Sequence, residues 1–258
     1  SRYRQCSPVR ARAGAGVFLG ARALSVALTA TTIDLAATTV RELNARLHRV
    51  RQGSNEKLWR IVNPRGLHSV AVGIDTPMQV QIEGHVGYYC AGMNAGAHIT
   101  IDGNAGPGVA ENMMSGEVRV KGDAAQAAGA TGRGGLLVIE GNAGARCGIS
   151  MKGVDIVVGG SIGHMSGFMA QEGNLVVCGD AADTLGDSLY EARIFVRGAV
   201  KTLGADCEEK VMGVEERGIL HSVLVRAGLD SQINASAFRL YGSARRLYHF
   251  HVDNADAY

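Results

Sequence analysis

The side chains that could do chemistry are few and scattered. His249 and His251 form the tightest histidine pair, with Asp253 the one near candidate for a further ligand. Two residues apart, the imidazoles diverge on a helix and share a face on a strand. A metal would need two more ligands, so the pair reads as a polar tail beside a partner surface. Five cysteines, at positions 6, 90, 147, 178 and 207, include no CxxC, and the smallest gap is 29 residues. That spacing fits free thiols in a reducing cytoplasm better than a disulfide scaffold or a zinc site. Gly14-Ala-Gly16 with Gly20 imitates a dinucleotide loop, yet no strand precedes it and the spacing is GxGxxxG. Asp123 and Asp180 each directly follow a glycine but lie three repeat units apart, and Glu208-Glu209-Lys210 reads as a solvated turn. No nucleophile, base and orienting group fall together. The expectation is that this chain has no catalytic residue, bound cofactor or metal of its own.

What positions these residues is a repeat. Gly84, Gly103, Gly122, Gly141, Gly160, Gly179 and Gly198 stand 19 residues apart. Four residues before them come Val80, Ile99, Val118, Leu137, Ile156, Leu175 and Ile194; two before them, Ile82, Ile101, Val120, Ile139, Val158, Val177 and Val196. Apolar-x-apolar-x-Gly is a half-buried strand, ended by a glycine where the backbone needs φ > 0 or a close approach. Further small residues, such as Gly87, Gly106 and Gly144 and then Ala91, Ala110 and Gly129, mark corners. A strand with corners at a fixed period is one coil of a solenoid, which buries its apolar face only by stacking. Stacked about 4.8 Å apart, seven coils make a rod of roughly 34 Å. The predicted fold is therefore an all-β core: a right-handed, single-stranded parallel β-helix of about seven 19-residue coils, with flanking N- and C-terminal helices. Stacking also separates Cys90 from Cys147 by three coils, about 14 Å, where a disulfide needs Cα atoms within about 7 Å. Both are corner fillers. The residues just before the repeat glycines, Glu83, Asp102, Lys121 and Glu140, read as an outward ladder supported by its neighbours, not as a catalytic acid pair.

Composition agrees. Glycine contributes 36 of 258 residues, about twice the usual ~7%, while only 4 prolines exclude collagen and proline-rich linkers. A net charge of +2 gives no support for a polyanion binder, and no apolar run approaches the length of a membrane helix. The chain divides into a basic extension (1–26) with five Arg and no acid, an N-terminal cap (27–77), the β-helix (78–206) and a C-terminal segment with its tail (207–258). The extension has the composition of a transit peptide or of a stretch upstream of the natural start. In the cap, Thr39-Val-Arg-Glu42 is a capping box that opens a helix carrying Val40, Leu43, Leu47 and Val50. Downstream, 214–226 reads as a helix stopped by Gly228, and a second helical piece is expected over about 235–250. Such caps cover the open ends of a solenoid.

The coils from Gly84-His-Val-Gly87 to Gly198 resemble the GXGXG β-helix family, found at the C-terminal end of the large chain of glutamate synthase and in the C subunit of formylmethanofuran dehydrogenase. Thr202-Leu-Gly-Ala-Asp206 and Leu240-Tyr-Gly-Ser-Ala-Arg-Arg-Leu247 resemble the glutamate synthase tail. The chain has neither an amidotransferase domain with an N-terminal Cys nor an FMN barrel. In length and in its closing His-Phe-His-Val-Asp-Asn run it is most similar to the β-helix subunit of the three-chain N-methylglutamate synthases. That resemblance implies a non-catalytic structural subunit in a cytoplasmic hetero-oligomer, partnered by a class II amidotransferase-like subunit and an FMN-binding subunit, with FMN on the partner. A formylmethanofuran-type scaffold and a glutamate synthase subunit proper are the alternatives. A polysaccharide lyase on a β-helix would need convergent acids and bases across adjacent coils, which the ladder before the glycines does not provide. Tyr241, Arg245, Arg246, Tyr248, Phe250 and Tyr258 combine aromatics with arginine, the make-up of interface anchors. They are the expected partner contact, with 249–258 expected to leave the body.

Overall fold

Each apolar-x-apolar stretch is a strand, and the strands stack in sequence order. The computed structural model describes residues 30–50, 58–230 and 233–245. The repeats give β3 (Gln79–Glu83), β4 (Ala95–Ile101), β5 (Ser115–Val120), β6 (Leu136–Ile139), β7 (Lys152–Val158), β8 (Glu172–Val177) and β9 (Arg193–Val196). Two earlier strands, β1 (Thr31–Asp34) and β2 (Leu58–Val62), precede them, with α1 (Val40–Leu47) between. All nine pair in parallel in the order β1 to β9. The register repeats every 19 residues, as in Val80↔Ile99, Leu137↔Ile156 and Leu175↔Ile194. A second line of parallel bridges joins Val86, Ala105, Ala124, Ala143, Ile162, Ala181 and Val200. The fold is thus a parallel β-solenoid, and its aliphatic columns line the interior: Ile82, Ile101, Val120, Ile139 and Val158 are fully buried.

The glycine columns divide the two reasons for needing glycine. Of the seven repeat glycines, only Gly84 has positive φ, at 127°. The others are needed for close approach: a Cβ on Gly141 would lie 2.3 Å from Asp123 Oδ1 and 2.8 Å from Gly122 O. Left-handed backbone belongs to the corners, as at Arg146 (φ 59°), Gly148 (68°) and Ser150 (51°). Only the middle position of the three points inward. There a Cβ on Gly129 would meet Ile156 Cδ1 at 2.5 Å.

The ends are closed by caps. Thr39 accepts from Glu42 N and Glu42 returns the bond to Thr39 N, so the capping box forms at α1, which buries Leu43 and Leu47. At the other end come β10 (Cys207–Lys210), α2 (Val214–Ala227) and β11 (Arg239–Ser243). Gly228, at φ 72°, stops α2. Over its described residues, 235–245, the helix expected over 235–250 does not form. Its described part is one 3-10 turn, Ala235–Ala237, followed by β11, which inserts antiparallel between β9 and β10. Glu208-Glu209-Lys210, read as a turn, is the edge strand that β11 pairs with.

α2 lies over the outer face of the later coils. Leu220, Val223, Leu224 and Ala227 pack with Leu136, Val138, Val157, Val176 and Phe195, and each large side chain so buried stabilises by about 1.5–3 kcal/mol. Arg119 donates to Ala227 O at 3.1 Å, satisfying a carbonyl at the negative end of α2.

Candidate partner-docking surface

The polar columns are occupied within the solenoid itself. In the column before the repeat glycines, Lys121 pairs with Asp102 at 2.6 Å and Glu83 pairs with Arg60. Glu140 lies 3.6 Å from Arg119. Hydrogen bonds from Lys121 and then Gln81 hold the Asp102 carboxyl below the usual aspartate range. A lowered carboxylate bound to cations is a structural anion, not a proton donor or acceptor.

A second ladder, missed in the sequence, directly follows the glycines. His85, Asn104, Asp123, Asn142, Ser161 and Asp180 each accept from the backbone N–H one coil further on. The distances are 2.9 Å to Asn104 N, 3.0 Å to Asp123 N, 2.7 Å to Asn142 N, 2.9 Å to Ser161 N, 3.0 Å to Asp180 N and 2.7 Å to Ala199 N. These acceptors occupy the space a Cβ would need at Gly122, Gly141, Gly160, Gly179 and Gly198. The glycine and the acceptor are two halves of one device. The signal was available in the sequence as shared acceptor chemistry, although the residue identities vary.

The described thiols are sealed. Cys90, Cys147, Cys178 and Cys207 are buried and free. Burial pushes Cys90 and Cys147 up to about 12, and burial followed by Glu208 pushes Cys207 to about 11, so these three stay protonated and unreactive at neutral pH. Among the described residues no group of three His, Cys, Asp or Glu could hold a metal ion, and no helix is long and apolar enough to cross a membrane. A shallow depression lined by Ser161, Asp180, Ala199 and Lys201 has its lysine paired to Asp183 at 2.7 Å.

The expected contact residues separate. Tyr241 is a core residue: it is 2% exposed, on β11, with Leu240 buried beside it. Its hydroxyl donates to Glu209 at 3.4 Å, and Arg239 sits over its ring. The pattern that suggested an anchor is the tyrosine of a closing strand. Arg245 is exposed and ion-paired with Asp206, where it ties β11 to the last corner. Arg246, Tyr248, Phe250 and Tyr258, and the His249–His251 pair, lie outside the described residues.

No family model matches the chain, and no solved structure matches it. Protein GlxC of Rhizobium meliloti (strain 1021) is 65% identical over 226 residues, covering 88% of this chain and 99% of that protein. The chain belongs to the GlxC family. The aligned 226 residues exceed the 129 positions from 78 to 206, so the likeness to GlxC takes in the caps as well as the coils.

Large apolar side chains also stay exposed on the described surface, among them Tyr88, Val211 and Val214 near the ends. Met93, Met114, Met169 and Tyr190 are 47%, 49%, 38% and 43% exposed, all along one corner of the solenoid. No sequence column marks them, because each differs from its neighbours in the stack.

Proposed function

We propose that this chain is a non-catalytic structural subunit of a glutamate-synthase-like complex, specifically an N-methylglutamate synthase that converts methylamine and L-glutamate to N-methylglutamate and ammonia. It holds a class II amidotransferase-like subunit and an FMN-binding subunit in register, so that ammonia or methylamine released at one site reaches the other. FMN sits on the partner. The observation that carries this reading is where the polar groups go: the two recurring polar columns are taken up by coil-to-coil bonds, while large side chains such as Met93, Met114, Met169 and Tyr190 stay exposed. Kinship to GlxC and the resemblance of the coils to the GXGXG β-helix support the choice of complex.

Co-expression with the two partner chains tests it. The three chains are expected to purify together and form N-methylglutamate, and the pair lacking this chain is expected to lose that activity. This chain alone is expected to be colourless and to turn over neither glutamine nor methylamine with glutamate. Full turnover by the other two chains, or activity in this chain alone, would refute the proposal.

A further inference from the structure

The open corner has an order along the axis. Met93 and Met169 stand 9 residues after their repeat glycines, and Met114, Arg133, Lys152 and Tyr190 stand 11 after theirs. The residue between these two columns points inward: Asn94, Met113, Gly132, Met151, Ala170 and Leu189 are all buried. Columns 9 and 11 therefore flank one inward column and project from the same side. At one coil per residue, from Met93 to Tyr190, the strip is about 24 Å long. Along those six residues it runs apolar, apolar, cationic, cationic, apolar, apolar, with Ala95, Asn112, Thr131, Ser150, Gln171 and Ser188 filling the other positions of the two columns.

The two central cations have no partner of their own. Arg133 is exposed, and no ion pair joins Arg133 or Lys152 to a carboxylate among the described residues. Lys152 is in register with Glu172, but that pair does not close. Some surface cations are matched, as in Lys121–Asp102, Lys201–Asp183 and Arg226–Asp155. Arg41, Arg49 and Arg146 are exposed without an ion pair among the described residues, but none of them stacks on a second cation one coil away as Arg133 does on Lys152. Stacking Arg133 directly before Lys152 sets like charges about 4.8 Å apart in the backbone, which is unfavourable unless an anion meets them. The strip's backbone is already bonded between coils: Arg133 N donates to Met113 O and Lys152 N to Gly132 O, each at 2.7 Å. Strand addition is excluded there, and recognition falls to side chains. Two cations amid methionine and tyrosine are too few for a nucleic acid, and the mixture of methionine, tyrosine and arginine is that of a protein interface.

We infer that this strip is the docking surface for a partner subunit whose facing patch carries carboxylates between two apolar areas. The inference rests on the proposed function and adds which face of the chain meets a partner and with what chemistry. The test uses the three-chain complex. Arg133→Glu combined with Lys152→Glu, and separately Met114→Asp, are compared with Arg41→Glu on α1, each variant's melting temperature being checked alone. The strip variants are expected to melt like the parent and bind at least about tenfold more weakly, with the Arg41 variant within about twofold of the parent. Unchanged affinity in both strip variants would overturn the strip alone. A parent chain that joins neither partner would overturn the proposed function, and the strip with it.

Discussion

Strands β3–β5 and β6–β9 present the same columns to the interior and opposite chemistry to the outside. Three residues before the repeat glycines the outward side chains are Gln81, Thr100 and Arg119 in the early coils. They become Val138, Val157, Val176 and Phe195 in the later ones. The polar half is laced by its own ion pairs, and the apolar half is covered by α2. The inward columns thus specify a solenoid, and the outward ones specify what lies against it. By that rule outward apolar side chains without a cover of their own, such as Met93, Met114, Met169 and Tyr190, mark a place for another molecule.

Breaking what the two halves share has the largest effect. Ile139 is fully buried in the middle of the stack, so Ile139→Asp places an unpaired charge in a dry core. It is expected to abolish soluble expression. Next comes Gly141→Ala, whose Cβ overlaps Asp123 Oδ1 and Gly122 O. About 2–4 kcal/mol is expected by denaturant unfolding, partly recovered in the Gly141→Ala, Asp123→Ala double variant, because the carbonyl clash remains.

The contrast between the halves is sharpened by matched substitutions in one column. Val157→Asp buries a carboxylate under α2 and is expected to cost about 3 kcal/mol, whereas Thr100→Asp on the open half should stay within about 0.5 kcal/mol. Equal costs would show that α2 does not seal the later coils. Asp180→Ala leaves Ala199 N without its 2.7 Å acceptor and should cost about 1 kcal/mol, with Asp180→Asn near neutral. The smallest effect is on pH. Asp102 is held below its ordinary value of 3.8 by Lys121 and Gln81. Its contribution is therefore present above that value and is lost as pH falls below it. Lys121→Gln should slightly flatten the loss of melting temperature below about pH 4, an effect kept small by solvent screening.

Most of the frame was legible in the sequence, because stacking forces identical columns into identical surroundings. The inner aliphatics, the Thr39 capping box and the Gly228 stop can each be read locally. Three features could not be read that way. β11 does not show as a strand in the sequence because its pairing is with strands distant in sequence, and Leu240 and Tyr241 carry no periodic signal over so short a span. The acceptor ladder is hidden by varied identities, from His85 to Ser161, that share one hydrogen-bonding role. The docking strip has no column identity at all: Met114, Arg133 and Lys152 occupy one stacked position with different chemistry. The switch from Arg119 to Val138, by contrast, was readable and marks the start of the helix-covered half.

The exposed methionines of this chain are natural probes of its surface. Hydroxyl-radical footprinting of the chain alone and in the three-chain complex measures oxidation residue by residue. Oxidation of Met93, Met114, Met169 and Tyr190 is expected to fall several-fold on assembly, while buried Met113 and Met151 stay unreactive in both states. Oxidation of all four strip residues at the same rate in the complex as in the free chain would contradict that expectation.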